Sequence, residues 1–350
     1  MLEQDLSFGL QQQVQQAAID VAPLKIMGGN TKAFYGGRCD ASKVLDITGH
    51  SGVIDYEPSE LVITARSGTR LVDIIELLAN QRQTLGFEPP DFNGKATLGG
   101  TLATGFSGPR RPFAGSARDF MLGGKIINGH GEMLSFGGRV MKNVAGFDVS
   151  RLMVGALGTL GVILEASLRV IPLPETELTV TYALSEPQAL AKMPVLAGQP
   201  WPISAMAYDG ECLRLRLSGA EQAVRAIIGR IGGDMDELGD IFWQDLREQR
   251  LAFFLWSGDL WRISVAPATP ALPLPGRWFL DWGGALRWLK TDASADAVHA
   301  EAQKAGGYAV CYQGAQNDWF RLDGGLFSLQ QNIRKAFDPL KLLNPGRLWP

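Results

Sequence analysis

Cysteine and histidine are scarce in these 350 residues, with three of each. Cys39, Cys212 and Cys311 lie far apart, are odd in number and form no CxxC pair. They therefore offer no zinc or iron–sulfur ligand set and read as free thiols in a reducing compartment. His50, His130 and His299 are equally scattered, with no HExxH pair and no Ser/His/Asp order. No metal site is expected, and any redox chemistry must come from a bound organic cofactor. Neither sign of charge dominates: 33 Lys and Arg face 36 Asp and Glu, for a formal net charge of −3. That balance lacks the concentrated positive field that a phosphate backbone or an anionic membrane demands, so nucleic acid is not an expected partner.

Long apolar runs are also missing. The longest uncharged one, residues 152–164, spans about 13 residues, too few to cross a bilayer, and is broken by Gly155, Gly158 and Gly161. The first residues are acidic and then Gln-rich, where a secretory signal would be basic and then apolar. A cytoplasmic location is expected, with peripheral attachment at the inner membrane through partners left open. Disorder is excluded by 46% hydrophobic against 20% charged residues, enough to bury the cores of two domains.

Glycine is abundant: 42 residues, about 12% of the chain against roughly 7% in average usage. With no collagen-like period, the excess must sit in loops, which carry function. Helical spacing over residues 10–19 precedes a short strand at 23–27, which runs into Gly28-Gly29-Asn30-Thr31-Lys32. Alternating segments at 44–47, 52–56 and 61–65 predict small β-sheets, and Leu71, Ile74, Ile75 and Leu78 form a helical stripe. Residues 125–134 read as a hairpin around an Asn-Gly turn, and 161–171 as a strand. Composition changes after Pro172 and Pro174, placing a boundary near 175. Beyond it, strands at 178–184, 212–217 and 261–265 alternate with helices at 221–231 and 293–305.

Gly155-Ala156-Leu157-Gly158-Thr159-Leu160-Gly161 has GxxGxxG spacing rather than the GxGxxG of a Rossmann turn. The residues after it look like a strand, whereas a Rossmann turn opens a helix. No Walker A sequence is present. What remains is a set of separate glycine turns whose backbone N–H groups converge on phosphates and a flavin ring, glycine being needed where a Cβ would hold the backbone away. The candidates are Gly28–Lys32, Thr97–Gly105 and Gly158–Val162.

The order of these segments, with Gly115-Ser116-Ala117-Arg118-Asp119 and Lys142-Asn143-Val144-Ala145-Gly146-Phe147-Asp148 between them, resembles the FAD-binding domain of the vanillyl-alcohol oxidase/p-cresol methylhydroxylase flavoproteins over residues 20–174. Further motifs are similar to those of the FAD-binding subunits of bacterial glycolate oxidases across the whole chain. These are residues 141–155, Asp281-Trp282-Gly283-Gly284 onward, Asp338-Pro339 and Asn344-Pro345-Gly346-Arg347.

The resemblance implies an α+β chain: a PCMH-type FAD-binding domain of two α/β subdomains at 1–175, a reduced α+β cap at 176–330 and a C-terminal segment, 331–350, returning to the first domain. It implies pyrophosphate contacts at Gly28, Gly29, Asn30, Thr31 and Lys32 and a second set at Thr97, Gly99, Gly100, Thr101, Thr104 and Gly105. Pro89 would stand against the ring, and Gly161 and Val162 at its pyrimidine edge. Asn30 and Thr31 replace the histidine or cysteine that links FAD covalently in some members, so the flavin is expected to be non-covalent.

Relatives that oxidise 2-hydroxy acids unaided carry an HxGDGNxH-type motif in a larger cap, which a region with only His299 cannot supply. The implied function is therefore glycolate oxidation within a complex, alongside a larger FAD-containing subunit and an iron–sulfur subunit that receives electrons. A self-sufficient hydroxy-acid oxidoreductase and a non-catalytic scaffold stay open as alternatives. Arg110 and Arg111 could clamp a substrate carboxylate, bind a partner or pack as surface charges. Lys142, Asp148 and His130 are each available as a general base, with a structural role equally open.

Overall fold

The computed structural model describes residues 3–138, 147–314 and 319–348. Lys142 and the rest of the 142–146 motif lie outside the described residues, as do the side chains of Phe147 and Asp148. The chain forms two compact units, one of residues 1–107, 116–173 and 322–350 and the other of 108–115 and 174–321. Both mix helices with sheets.

The first unit starts with helix α1 (Ser7–Asp20), which leads into β1 (Leu24–Met27). β1 pairs in parallel with β2 (Lys43–Asp46). Strands β3 (Val53–Glu57), β4 (Val62–Arg66), β6 (Met121–Ile127), β7 (Met133–Gly137) and β8 (Val162–Arg169) form an antiparallel sheet in the order β3-β4-β8-β6-β7. Helix α2 (Leu71–Ala79) covers the predicted stripe, and β5 (Gln83–Thr84) pairs with β9 (Ile171–Pro172). Leu10, Val14 and Ala17 of α1 bury against Leu24, Leu45, Ile127, Val162 and Leu164, and Leu343 from the C-terminal segment completes that core. Each of the larger side chains, the leucines, valines and Ile127, contributes roughly 1.5–3 kcal/mol on leaving water. A residue from the end of the chain thus stabilises the strands that flank the first glycine loop.

The hairpin β6–β7 turns differently from its expected Asn-Gly form. Five residues connect the strands, and positive φ falls on Gly131 (76°) rather than on Gly129. Asn128 organises the turn through its side chain, whose Oδ1 accepts from the N–H groups of His130 and Glu132, both at 3.0 Å. An Asx turn replaces the two-residue turn.

The second unit holds an eight-stranded antiparallel sheet. Its strands are β10 (Thr176–Ala183), β11 (Ile203–Tyr208), β12 (Cys212–Gly219), β13 (Asp234–Met235), β14 (Leu260–Ser264), β15 (Arg277–Asp281), β16 (Leu286–Lys290) and β17 (Tyr308–Gln313), in the order β13-β10-β12-β11-β15-β16-β14-β17. The helices at Glu186–Ala197 and Glu221–Ile231 bury Leu190, Met193, Leu196 and Val224 with Leu213, Leu215 and Leu217 of β12. His299 lies in this unit, buried edge-on to the Trp261 ring at 5.2 Å.

Candidate functional site

β1 ends at Met27, and the chain enters the first glycine segment. A Cβ on Gly28 would run into Oγ1 of Thr97, and one on Gly29 into the carbonyl of Lys95. Glycine is required here because the backbone of this loop closes on the Thr97 side chain at Gly28 and on the Lys95 backbone at Gly29, more than 60 positions away in sequence. Among the described residues, nothing accepts from the backbone N–H groups of Gly28, Gly29, Asn30 and Thr31. Asn30 has positive φ (54°), so the loop offers a run of N–H donors suited to an anion. Lys32 is buried rather than solvated: its Nζ lies 3.2 Å from Thr31 Oγ1 and 5.0 Å from the centroid of the Phe92 ring.

The second segment is a short helix, α3 (Leu98–Thr104), capped by Thr97, whose Oγ1 accepts from Gly100 N–H at 3.3 Å. Gly105 closes it in the left-handed conformation. Two glycines and two threonines are poor helix formers, and tertiary contacts override them. The N–H groups of Leu98 and Gly99 donate to the carbonyls of Thr69 and Ser67, at 2.9 and 2.8 Å. Its first amides are therefore satisfied within the chain. The unsatisfied groups are hydroxyls: Thr101 Oγ1 and Ser67 Oγ are fully buried and have no hydrogen-bond partner among the described residues. The Thr104 hydroxyl is turned inward, onto the carbonyls of Gly100 and Thr101 at 3.0 and 3.2 Å.

The third segment is tied to the second. Gly155 and Leu157 donate their N–H groups to the carbonyls of Leu102 and Ala103, at 3.0 and 2.8 Å. Nothing among the described residues accepts from the N–H groups of Leu160 and Gly161. Val162 is the first residue of β8 and is fully buried, so its side chain belongs to the core. The three glycine segments thus form one assembly.

Pro89 stands on a buried turn that packs through Gly86 on Phe120 and Ile171. It precedes Asp91, whose carbonyl accepts from Ala96 N–H at 2.9 Å. Arg110 and Arg111 are in the second unit. Arg110 is buried and donates to Glu177, a carboxylate of this same chain. The Arg111 guanidinium lies 4.2 Å from the Trp282 ring, with that of Arg262 at 5.0 Å. His130 is exposed in the β6–β7 turn.

Three residues of this assembly escaped the residue-level reading. Ser67 follows β4 with no motif around it. Asn344 and Arg347, noted only within a terminal motif, hydrogen-bond the residues that flank the first and third segments, and Arg347 also the carbonyl of Lys32.

Comparison with known proteins settles the lineage. The chain is 46% identical, over 347 residues, to glycolate oxidase subunit GlcE of Escherichia coli K12, covering 99% of this chain and 98% of that protein. This chain belongs to the GlcE family of glycolate oxidase subunits. An FAD binding domain family matches residues 10–137, the stretch that holds the first two glycine segments, and FAD is the cofactor of that domain. Glycolate oxidase subunit GlcD of Bacillus subtilis is 31% identical over 162 residues, 45% of this chain and 34% of that one. D-lactate dehydrogenase of Anaerostipes hadrus is 30% identical over 137 residues, 39% and 28% of the two chains.

Among solved structures, alkyldihydroxyacetonephosphate synthase superposes with a TM-score of 0.65 over 96% of this chain and 75% of that one, at 16% identity. This establishes the fold. The GlcE-family chain is thus a member of an FAD-dependent oxidoreductase family with a mixed α+β architecture. None of its described helices is long and apolar enough to cross a membrane.

Proposed function

We propose that this chain is the FAD-binding subunit of a complex that oxidises glycolate to glyoxylate and passes the electrons to an iron–sulfur partner. The observation that carries the reading is the end-to-end similarity to GlcE, reinforced by a cradle of donors that lack acceptors. The residues fit the cofactor: a pyrophosphate needs several N–H donors in one concave run, and a flavin edge needs N–H donors for its carbonyls. Bound FAD supplies a two-electron acceptor for the oxidation of a hydroxy acid.

In this reading the amides of Gly28, Gly29, Asn30 and Thr31 hold the pyrophosphate, and Lys32 adds a compact positive charge screened from water by Phe92. Ser67 and Thr101 supply hydroxyl donors from beside and within α3. Gly99, Gly100 and Gly105 keep that helix close enough for them to reach. Leu160 and Gly161 present their N–H groups to the pyrimidine edge. No cysteine or histidine lies between residues 28 and 38, so the flavin is held non-covalently. The first unit is the flavin domain, completed by the C-terminal segment, and the second is a reduced cap. Arg110 serves the packing of the second unit, since Glu177 already occupies its guanidinium. The complex works in the cytoplasm and includes a larger flavin subunit that binds the hydroxy acid.

The test is an anaerobic absorbance titration with glycolate of the purified chain carrying oxidised FAD. The expected result is a flavin band that persists with the single chain and bleaches once the partner subunits are added. Bleaching in the isolated chain would overturn the dependence on partners and favour a self-sufficient oxidoreductase. Full activity of a complex whose GlcE-like chain has lost FAD would reduce the chain to a scaffold.

A further inference from the structure

The first and third glycine segments are about 130 positions apart in sequence, yet one side chain joins them. Asn344 is 7% exposed, and its Oδ1 accepts from Ile26 N–H at 2.7 Å, two residues before Gly28. Its Nδ2 donates to the carbonyl of Leu157, also at 2.7 Å, three residues before Leu160. Its own N–H donates to the Leu24 carbonyl at 2.9 Å, and its backbone is left-handed at φ 45°, a conformation asparagine tolerates better than most residues. The backbone partners fix which end of the amide is donor and which acceptor. Gly158 has no room for a side chain because a Cβ there would stand 2.7 Å from Asn344 Nδ2.

Arg347 acts on the first loop alone. It donates through Nη1 to the carbonyls of Ala33 and Gly37, at 2.9 and 3.3 Å, and through Nη2 to that of Lys32 at 3.3 Å. Its carbonyl in turn accepts from Gly37 N–H at 2.8 Å. Loop carbonyls are gathered onto one guanidinium within a few residues of the amides that lack acceptors.

We propose that Asn344 and Arg347 are positioning residues for the flavin: Asn344 sets the spacing between the segments that take the pyrophosphate and the pyrimidine edge, and Arg347 sets the conformation of the first loop. This rests on the reading of the three glycine segments as the FAD site. Neither side chain touches the cofactor in this account. They fix in advance a donor array that the cofactor would otherwise have to order on binding, at an entropic cost.

The discriminating variant is Asn344→Asp, which keeps the acceptor for Ile26 but at neutral pH turns a carboxylate toward the Leu157 carbonyl. On the full chain, stripped of flavin and titrated with FAD by fluorescence quenching, the dissociation constant is expected to rise about ten-fold or more at pH 7.5. It should fall back toward wild type as the pH drops and the carboxyl regains a proton to donate. Arg347→Gln should weaken FAD several-fold with no such recovery at low pH, and it serves if Asn344→Asp does not fold. The proposal is overturned if both variants bind FAD within two-fold of wild type while Gly29→Val, shown folded by circular dichroism, loses it. Thr101→Val takes the place of Gly29→Val if the latter does not fold. Unimpaired FAD binding by that control overturns the reading of the site, and this proposal with it.

Discussion

The backbone N–H of Gly99 donates to the carbonyl of Ser67 at 2.8 Å, and a Cβ on Gly99 would stand 2.7 Å from that of Ser67. α3 is thus seated directly on the residue that follows β4. Gly99→Ala should push the helix off this seat, costing about 1–3 kcal/mol of stability, as overpacking a core does, and weakening FAD at the same time. Gly155→Ala is the contrast, since nothing lies within 4 Å of its Cβ position, though φ is 85°. It should cost about 1–2 kcal/mol from backbone strain alone and leave FAD affinity unchanged. Chemical denaturation with and without FAD separates the two.

Thr101 carries a buried hydroxyl with no hydrogen-bond partner among the described residues. Replacing it with valine, of almost the same shape, should leave the FAD-free protein as stable or more stable, by about 1 kcal/mol, because an unsatisfied polar group is removed. The same change should weaken FAD several-fold. Calorimetric midpoints of the two forms, moving in opposite directions, would bear this out; a variant that binds FAD as wild type does would show that the hydroxyl faces no ligand.

His50 has no exposed surface, and its Nδ1 accepts from Leu6 N–H at 3.0 Å. Burial holds its pKa below the ordinary 6.5, outweighing the upward pull of Asp5. The unfolded chain therefore binds a proton at a pH where the folded one does not. The stability contributed by neutral His50 is complete above pH 6.5 and is lost as pH falls through its lower folded value. By NMR the imidazole should titrate below the ordinary 6.5. His50→Gln should flatten the loss of stability as the pH falls below 6.5; an unchanged slope would assign that loss to other groups.

Glu177 stands between two arginines of the second unit. It accepts from Arg110 and from the Ser218 hydroxyl, and Arg216 Nε lies 3.8 Å away. Glu177→Gln removes one carboxylate from beside two almost fully buried guanidinia and should destabilise the protein by about 1–3 kcal/mol. FAD binding by the folded variant should be unaffected, because these residues belong to the second unit. Urea unfolding followed by tryptophan fluorescence measures the first effect and flavin titration the second.

Much of this molecule was legible in local sequence. The stripe of Leu71, Ile74 and Leu78 gave α2, and the alternation at 61–65 gave β4, because periodicity within a segment reports which face it buries. The first glycine segment stood out in the sequence, and the folded chain leaves no room for a Cβ at Gly28 or Gly29.

Tertiary structure alone decided the rest. Leu98–Thr104 is helical because Ser67, Thr69 and Thr97 satisfy its first turn, against its own propensity. The hairpin at 128–132 follows the Asn128 side chain, and Gly129 is glycine because Asp338 fills the space where a side chain would go. That Arg110 meets Glu177, 67 positions away, shows only in the folded chain. The amide of Asn344 meets Ile26 and Leu157 from 318 and 187 positions away. Such contacts leave no periodic trace, since neither partner's neighbours need change for them to form. The sequence by itself thus determined where the helical stripe, the strand alternation and the glycine-rich turns fall, because those are local patterns, while the folded chain decided which distant side chains hold the glycine segments together.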